Sequence, residues 1–319
     1  MFPYLIRRLL LLIPILLGVS LVVFLLMALI PGDTAQAILG PFATEENLAA
    51  LRADLALDRP LPVQYATWLG NILQGDLGTA HSLNRPVTDE VFERLGATLL
   101  LAGTAFITTC LLGLGAGAIM ALRQSSWIDR SLTFVVLAGI STPSFALGLV
   151  LVLLFAVLLP WFPASGMYSV IGDAGIGDLL AHLVLPTLTL TLVTSAIVAR
   201  LMRGQMLEVL RQDYVRTARA QGLPERTVLF GHAFRNALVP MIPVLALQAG
   251  YLLGGAVYVE TIFAWPGIGR AIVAAISTRD VLLAQGCILV VAAGYVVLNL
   301  AADILQRWLD PRLNQATKQ

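Results

Sequence analysis

The sequence has almost no lysine and very few charges. Its 319 residues include one lysine, Lys318, and only 12% of them are charged, whereas soluble domains carry about a quarter. A P-loop needs G-x-x-x-x-G-K-[ST], in which the lysine reaches the terminal phosphates, and Lys318 lies in the C-terminal tail outside any such context. The chain therefore cannot contain a standard nucleotide-hydrolysing site, and its composition predicts an integral membrane protein.

Residues for metal and thiol chemistry are equally scarce. Cys110 and Cys287 each lie within an apolar run, which favours core packing over a disulfide framework or a metal site. The three histidines, His81, His182 and His232, belong to no H-E-x-x-H motif, and no G-x-S-x-G elbow is present. We therefore predict no metal, no cofactor bound by this chain, no catalytic residue and no nucleic-acid partner.

Long apolar runs are what the sequence does contain. A helix needs about 20 apolar residues to cross a bilayer, and six runs qualify: 9–30, 95–122, 131–160, 182–199, 236–259 and 281–302. No acid lies inside them away from their ends, which weakens proton-driven transport because ion-coupled carriers usually place an ionisable group within the membrane. Sodium sites built from carbonyl and hydroxyl oxygens stay open. The predicted fold class is all-α integral membrane, with six transmembrane helices.

The distribution of basic residues predicts the orientation of these spans. The side that holds both termini carries 14 arginine and lysine residues, and the opposite side carries 6. Cytoplasmic loops have the excess of positive charge, so both termini are predicted to be cytoplasmic. Residues 1–319 then form one membrane domain, with a long extracytoplasmic loop at 31–94 and a cytoplasmic loop at 200–235. Within the first loop, Thr44 resembles a helix N-cap, and 87–95 predicts a short interfacial helix.

Hydroxyl side chains recur on one face of the fourth run. Thr187, Thr191 and Ser195 are spaced i, i+4, i+8, and Thr194 lies beside them. Such a face can line a hydrated pathway without the cost of buried charge, or it can join neighbouring helices by hydrogen bonds. These four residues, together with Ser141 and Ser144 of the third run, are the candidate substrate pathway.

Proline and glycine mark irregular positions in the runs. Pro143 lies between Ser141 and Ser144 and predicts either a functional hinge or a kink whose freed carbonyls are satisfied by hydroxyls. Pro186 predicts a bend or a start of the fourth span. Gly113 and Gly117 have the G-x-x-x-G spacing that lets two helices approach closely.

The most specific segment is 212–240, which is rich in arginine and lies between two apolar runs. Residues 213–220 alternate charged and small side chains, Gly222 is placed to end a helix, and Pro224 can start a second one. Small residues let a partner approach the backbone, and arginines can bind its carboxylates in bidentate fashion. The segment predicts two short helices held by another protein; the alternative is an ordinary positive loop on anionic lipid.

The segment resembles the E-A-A-x-x-x-G loop of bacterial importer permeases of the ATP-binding cassette (ABC) class. Two features depart from the general motif: Arg216 stands in place of the leading acid, and Leu238-x-Pro240 lies further downstream than the motif has it. Both departures are similar to the R-T-A-R-A-x-G form of the dipeptide, oligopeptide and nickel permeases of the B type. Further resemblances to that subfamily occur in order along the chain, at 30–33, 57–60, 75–78, 85–87, 139–145, 259–269 and 310–312.

The resemblance implies a permease subunit of the bacterial cytoplasmic membrane that imports short peptides by alternating access. Its implied partners are a C-type permease, two cytoplasmic ATP-binding subunits that use ATP and Mg²⁺, and an extracytoplasmic substrate-binding protein. Nickel chelates, glutathione or opines are alternative substrates, and an ATP-independent carrier or channel is an alternative machine. The implied coupling residues are Asp213, Tyr214, Arg216, Thr217, Ala218, Arg219, Ala220 and Gly222. The implied external gate or binding-protein contact comprises Glu260, Phe263, Trp265, Pro266, Gly267 and Gly269.

Overall fold

The computed structural model describes residues 2–29, 34–40, 43–54, 58–170 and 175–309, and most of them are helical. Five helices are long and apolar enough to cross a membrane, and a sixth span results if one bent pair of helices is counted as a single span. The predicted class of helical integral membrane protein is thus confirmed. The motif residues at 30–33, at 57 and at 310–312 lie outside the described part of the chain.

The chain divides into two compact units, Met1–Thr98 with Pro266–Val296, and Leu99–Trp265 with Val297–Gln319. The described part of the first unit contains seven helices or parts of helices and a hairpin of two short strands. Its elements are α1 (Phe2–Ala28), α2 (Thr34–Leu39), α3 (Glu45–Asp54), α4 (Leu61–Leu73), β1 (Thr79–Ala80), antiparallel β2 (Arg85–Pro86), the start of α5 (Val87–Thr109), α13 (Ile268–Thr278) and the start of α14 (Val281–Leu309).

The core of the first unit joins the hairpin to α5, α13 and α14. Val87 and Ile268 are among its fully buried members, and Ser82 donates two hydrogen bonds, from its amide and its hydroxyl, to the Asp280 carboxylate. Asp280 also accepts from the amide of Leu283 and so caps α14. One carboxylate therefore holds the hairpin turn against the start of a membrane span.

The second unit is built around α9 (Ile176–Leu210). Its other elements are the rest of α5, π1 (Cys110–Leu114), α6 (Gly115–Leu122), α7 (Trp127–Ser141), α8 (Ser144–Val152), π2 (Leu153–Leu158), α10 (Asp213–Ala220), π3 (Thr227–Phe234), α11 (Arg235–Leu238) and α12 (Met241–Ile262), with the end of α14. Within this unit α9 packs against α6, α7, α8, α11 and α12. The structure buries 67% of the apolar window of α9, but at most 39% of the same window in the other long spans. Neighbouring helices therefore cover most of the apolar and hydroxylic surface of α9.

The predicted close approach at Gly113 and Gly117 is present. A Cβ at Gly117 would lie 2.6 Å from the carbonyl oxygen of Ala199, and one at Gly113 would lie 2.7 Å from the Cβ of Val198. Both are distances that real Cβ atoms do not adopt. The two glycines therefore let π1 and α6 rest directly on the backbone of α9.

The third predicted span is not one straight helix. α7 ends at Ser141 and α8 begins at Ser144, and the two are bent by 104°. Pro143 supplies no amide hydrogen, and Thr142 is held in an extended conformation with ψ of 125°. The Thr142 hydroxyl donates to the carbonyl of Ala138 at 2.8 Å, which satisfies one of the freed backbone groups as the sequence predicted.

Two predicted boundaries were wrong. The helix expected at 87–95 is the first part of the continuous α5. Pro186 lies inside α9, so of its two predicted roles only the start of the span is excluded. α9 also continues eleven residues beyond Ala199 because an arginine marks the edge of the hydrocarbon and does not stop a helix. The Thr44 cap is present, since its hydroxyl accepts from the amide of Asn47.

Candidate coupling and transport sites

The predicted short helix after the fourth span is α10, which spans Asp213–Ala220. It ends as expected: Gly222 has φ of +77°, and the amide of Leu223 donates back to the carbonyl of Ala218 at 3.3 Å. This is the hydrogen-bond pattern of a helix that closes on a left-handed glycine. A second helical segment follows Pro224, whose carbonyl accepts from the amides of Thr227 and Val228.

One face of α10 is anchored inside the second unit. Val215 and Ala218 form a small buried cluster with Val228 of π3, and Val209 and Leu210 at the end of α9 pack against it. Apolar contacts therefore tie the short helix both to the end of α9 and to the segment that leads to α12. A displacement of α10 is transmitted to both elements, because a packed core does not deform freely.

The other face of α10 is open to solvent in this chain. Its exposed side chains are Asp213, Tyr214, Arg216, Thr217, Arg219 and Ala220. Arg219 forms a two-point pair with Glu225, at 3.2 and 2.7 Å, and this arginine lowers the pKa of the Glu225 carboxyl below its usual range. The pair bridges α10 to the turn that follows it, and Arg216 lies 3.6 Å from Asp213. Seven of the eight predicted coupling residues thus lie on α10, with Ala218 on its buried face, and Gly222 ends the helix.

The hydroxyl face of α9 is directed at α5 within the same chain. Thr187 pairs with Thr104 at 3.2 Å, Thr194 pairs with Thr109 at 2.7 Å, and Thr191 donates to the carbonyl of Ala105 at 3.3 Å. Ser195 donates to its own helix, at the carbonyl of Leu192. All four side chains are buried. In this conformation the three threonines join α9 to α5, which is the second of the two roles that the sequence left open.

The two serines of the third span have different surroundings. Ser141 is exposed at the end of α7, while Ser144 at the start of α8 pairs with the hydroxyl of Tyr258 at 2.9 Å. Tyr258 also interacts with the side chain of Tyr251, one heptad earlier on α12. The structure therefore connects Ser144 to α12.

The predicted external gate is divided between the two units. In the second unit Glu260, Phe263 and Trp265 are buried, and the carbonyl of Phe263 accepts from the amide of Gly166 at 2.7 Å. In the first unit Pro266 and Gly267 precede α13, and the amide of Ile268 donates to the Thr98 hydroxyl at 2.8 Å. Gly269 is buried in the first turn of α13. These side chains support a tight turn, and their contact with a binding protein stays a prediction.

Sequence reasoning missed a hydroxyl-bearing side of α12. Leu247, Tyr251, Gly254 and Thr261 are exposed on this side, and Tyr258 is half-buried there. The exposed side chains of α1 are instead aliphatic, among them Leu21, Val22, Leu25 and Leu26. Lipid-facing surfaces favour the second composition. The tyrosine spacing of seven was the available signal, since it places Tyr251 and Tyr258 on one helical face.

Comparison with known proteins agrees with this architecture. Residues 113–315 match the family model described as the binding-protein-dependent transport system inner membrane component, and residues 1–102 match the model of the N-terminal part of such membrane components. Together the two models cover nearly the whole chain. Among the described residues, no group of three or more His, Cys, Asp or Glu is placed to hold a metal ion.

Curated relatives are similar over almost their full length. The chain is 42% identical to the dipeptide transport system permease protein DppB of Alkalihalophilus pseudofirmus, over 98% of this chain and 99% of the relative. It is 39% identical to the glutathione transport system permease protein GsiC of Escherichia coli K12, with the same coverage. Among solved structures, the inward-facing MetNI methionine ABC transporter matches with a TM-score of 0.56 at 14% identity, over 69% of this chain and 95% of that one. The chain belongs to the family of inner membrane components of binding-protein-dependent transport systems, the permeases of ABC importers.

Proposed function

We propose that the chain is the membrane-spanning subunit of an ATP-driven importer of short peptides in the bacterial cytoplasmic membrane. Relatives of 39–42% identity over their whole length are named as dipeptide, peptide and glutathione permeases, which supports this substrate class. The observation that carries the mechanism is α10, an anchored helix whose other face is exposed and charged. In this proposal α10 is the surface on which a cytoplasmic ATPase docks.

The proposed topology has six spans with both termini in the cytoplasm, and the bent pair α7–α8 counts as one span. The excess of basic residues on the side of the termini supports this orientation. A C-type permease would complete the bundle, two ATP-binding subunits would supply ATP and Mg²⁺, and a binding protein would deliver the peptide from outside. In the proposal this chain holds no nucleotide, because it lacks the lysine that a P-loop needs, and the Mg²⁺ is bound with the ATP by the partner subunits.

The role of α10 can be tested at Gly222. Neither Gly222 nor Gly204 of α9 has an atom within 4 Å of a Cβ built on it, but only Gly222 has a positive φ. Gly222→Ala should strain the helix end, and Gly222→Trp should also obstruct docking, whereas Gly204→Ala should do neither. In the assembled complex we expect Gly222→Trp to lower both ATP hydrolysis and peptide uptake. Unchanged hydrolysis and uptake in that variant would refute the assignment of α10 as the coupling helix.

The transport pathway is proposed to follow the exposed polar face of α12 rather than the hydroxyl face of α9. Thr191 is fully buried against α5, whereas Gly254 has open space around it. In a background with Cys110→Ala and Cys287→Ala, a membrane-impermeant thiol reagent should modify Gly254→Cys, and Ile107→Cys on the aliphatic surface of α5 should resist it. Modification of Thr191→Cys without modification of Gly254→Cys would instead support the α9 pathway.

Glutathione is a second candidate substrate, because one relative of 39% identity is named as a glutathione permease. Proteoliposomes that contain this chain with its partner subunits, ATP inside and the binding protein outside, distinguish the two. Uptake of a labelled dipeptide mixture supports the first proposal, and uptake of labelled glutathione alone supports the second. Uptake without any ATPase would favour a secondary carrier or channel and contradict both.

A further inference from the structure

The long first loop contains a helix, α4, that has no charge and almost no burial. Leu61–Leu73 contains no acidic or basic residue, and none of its side chains is buried within the chain. Leu73 is 80% exposed, although it is among the most apolar residue types. A helix of this length is only marginally stable in water unless its apolar side chains pack against other apolar groups.

The side chains of α4 separate into two stripes. Successive residues are rotated by about 100°, so i, i+3, i+4 and i+7 positions share a face. The apolar stripe comprises Pro62, Ala66, Leu69 and Leu73, and the polar stripe comprises Gln64, Thr67, Asn71 and Gln74. Between the stripes, Tyr65 and Trp68 face α1. A helix with one apolar and one polar side suits the boundary between lipid and water, and α4 has these two sides with uncharged polar groups alone.

The contacts of Tyr65 place α4 at membrane depth. Its hydroxyl pairs with that of Ser20 at 2.8 Å and also reaches the carbonyl of Leu17 at 3.4 Å, and Ser20 lies eight residues before the end of α1 at Ala28. At about 1.5 Å per residue, Ser20 is about 12 Å inside that end. The apolar run of α1 continues to Ile30 in the sequence, so the hydrocarbon boundary lies no nearer to Ser20 than Ala28, and Ser20 is at least about 12 Å inside it.

The aromatic contacts agree with this depth. Phe24, half-way between Ser20 and Ala28, lies with its ring centroid 5.4 Å from that of Tyr65 and 5.8 Å from that of Trp68. Tyrosine and tryptophan are enriched at membrane interfaces because one end of each is apolar and the other polar. The Tyr65 hydroxyl, below the interface, has the protein partners that lipid cannot supply.

We propose that α4 is inserted into the outer leaflet, with its apolar stripe in the acyl chains and its polar stripe toward the water. The occupant of the exposed apolar surface is therefore lipid, as it is for the exposed aliphatic side chains of α1 such as Leu21 and Leu25. The proposal rests on the membrane nature of the chain; only the naming of the leaflet depends on the proposed topology.

The test places an environment-sensitive fluorophore on single cysteines in the full chain, with Cys110→Ala and Cys287→Ala, reconstituted in nanodiscs alone and with the partner subunits. Leu73→Cys and Asn71→Cys form a matched pair, since both positions are exposed but belong to opposite stripes. Ala66→Cys and Thr67→Cys form a second pair, in case the loss of Leu73 disturbs folding.

The expected result is emission shifted to the blue at Leu73 and Ala66, with quenching by a nitroxide on the upper part of the lipid acyl chain. Iodide in the water should quench the fluorophore at Asn71 and Thr67 at least about threefold more strongly than at the apolar positions. Equal iodide quenching in both stripes would overturn the proposal. Protection of the apolar positions from both iodide and lipid nitroxide would overturn it as well, because a protein would then cover α4. Neither outcome depends on peptide uptake, so a failure here is separate from a failure of the proposed function.

Discussion

Replacing Gly117 by alanine should force α6 away from the central helix α9. A Cβ at this position would meet the Ala199 carbonyl oxygen at 2.6 Å, the Met202 Cβ at 2.7 Å and the Arg203 amide nitrogen at 3.1 Å. Two of these three atoms belong to the helix backbone and cannot rotate aside. The added methyl would lie about 0.8 Å closer to the Ala199 oxygen than an ordinary contact allows. If α6 moved away by that distance, its other contacts with α9 would lose about a quarter to a half of their dispersion energy.

The magnitude follows from two opposing effects. Overpacking a core costs about 1–3 kcal/mol, and a rigid backbone obstacle favours the upper half of that range. The better helix propensity of alanine offsets about 0.5–1 kcal/mol. Gly115 is the matched control because it lies on the same helix and a Cβ there meets nothing within 4 Å. The propensity gain is common to both variants, so their difference should be about 2–3 kcal/mol in the free energy of unfolding.

The assay is equilibrium unfolding of the purified permease in mixed detergent micelles, with the midpoint compared for the native chain, Gly117→Ala and Gly115→Ala. Gly117→Ala should unfold at clearly lower denaturing detergent, while Gly115→Ala should match or slightly exceed the native chain. Indistinguishable midpoints for the two variants would refute the claim that Gly117 lies against the backbone of α9.

Three further outcomes are expected. Thr109→Val should lower the free energy of unfolding by only about 0.6 kcal/mol in the same assay, because Thr194 keeps its hydrogen bonds to two carbonyls of its own helix. A loss as large as that of Gly117→Ala would contradict this expectation. Asp129→Asn should lower the free energy of unfolding by about 2–3 kcal/mol, since it weakens the two hydrogen bonds of 2.8 Å that Arg203 donates to the buried Asp129 carboxylate. An unchanged unfolding midpoint would show that the pair is not formed. Arg219 lowers the pKa of Glu225 in the folded chain. The pair with Arg219 therefore stabilises α10 fully above the unfolded carboxyl pKa of about 4.3, and this stabilisation is lost as the pH falls through the lower pKa of the folded chain. Hydrogen-exchange protection of α10 should therefore be constant between about pH 6 and 8, and Glu225→Gln should cost less than about 1 kcal/mol because both partners are largely exposed; loss of protection near pH 6 would contradict the assignment.

Local chemistry made α10 predictable. Its start after Gln212, its end at the left-handed Gly222 and the new helix after Pro224 each follow from the preferences of residues adjacent in sequence. The break at Pro143 was foreseeable for the same reason, but its angle of 104° was not. The angle depends on which helices the two halves pack against, and that information is not local.

Features that depend on distant residues were missed. Asp129 and Arg203 are 74 positions apart, and neither carries a local signal for the other. The hydroxyl spacing at Thr187 and Thr191 identified a shared helical face correctly, but the same spacing suits a wet pathway and a helix contact. Which surface is exposed is decided by tertiary packing, so the polar side of α12 became visible only in the structure.

The length of α9 has a mechanical consequence. Its 35 residues span about 52 Å, whereas the hydrocarbon core is about 30 Å thick, so roughly 20 Å of rigid helix extends beyond the bilayer. A tilt of about 5° about its midpoint would move each end by about 2 Å in opposite directions. If α10 receives the motion of an ATPase, as proposed above, a small displacement of α10 would appear at the other end of α9 in the opposite direction.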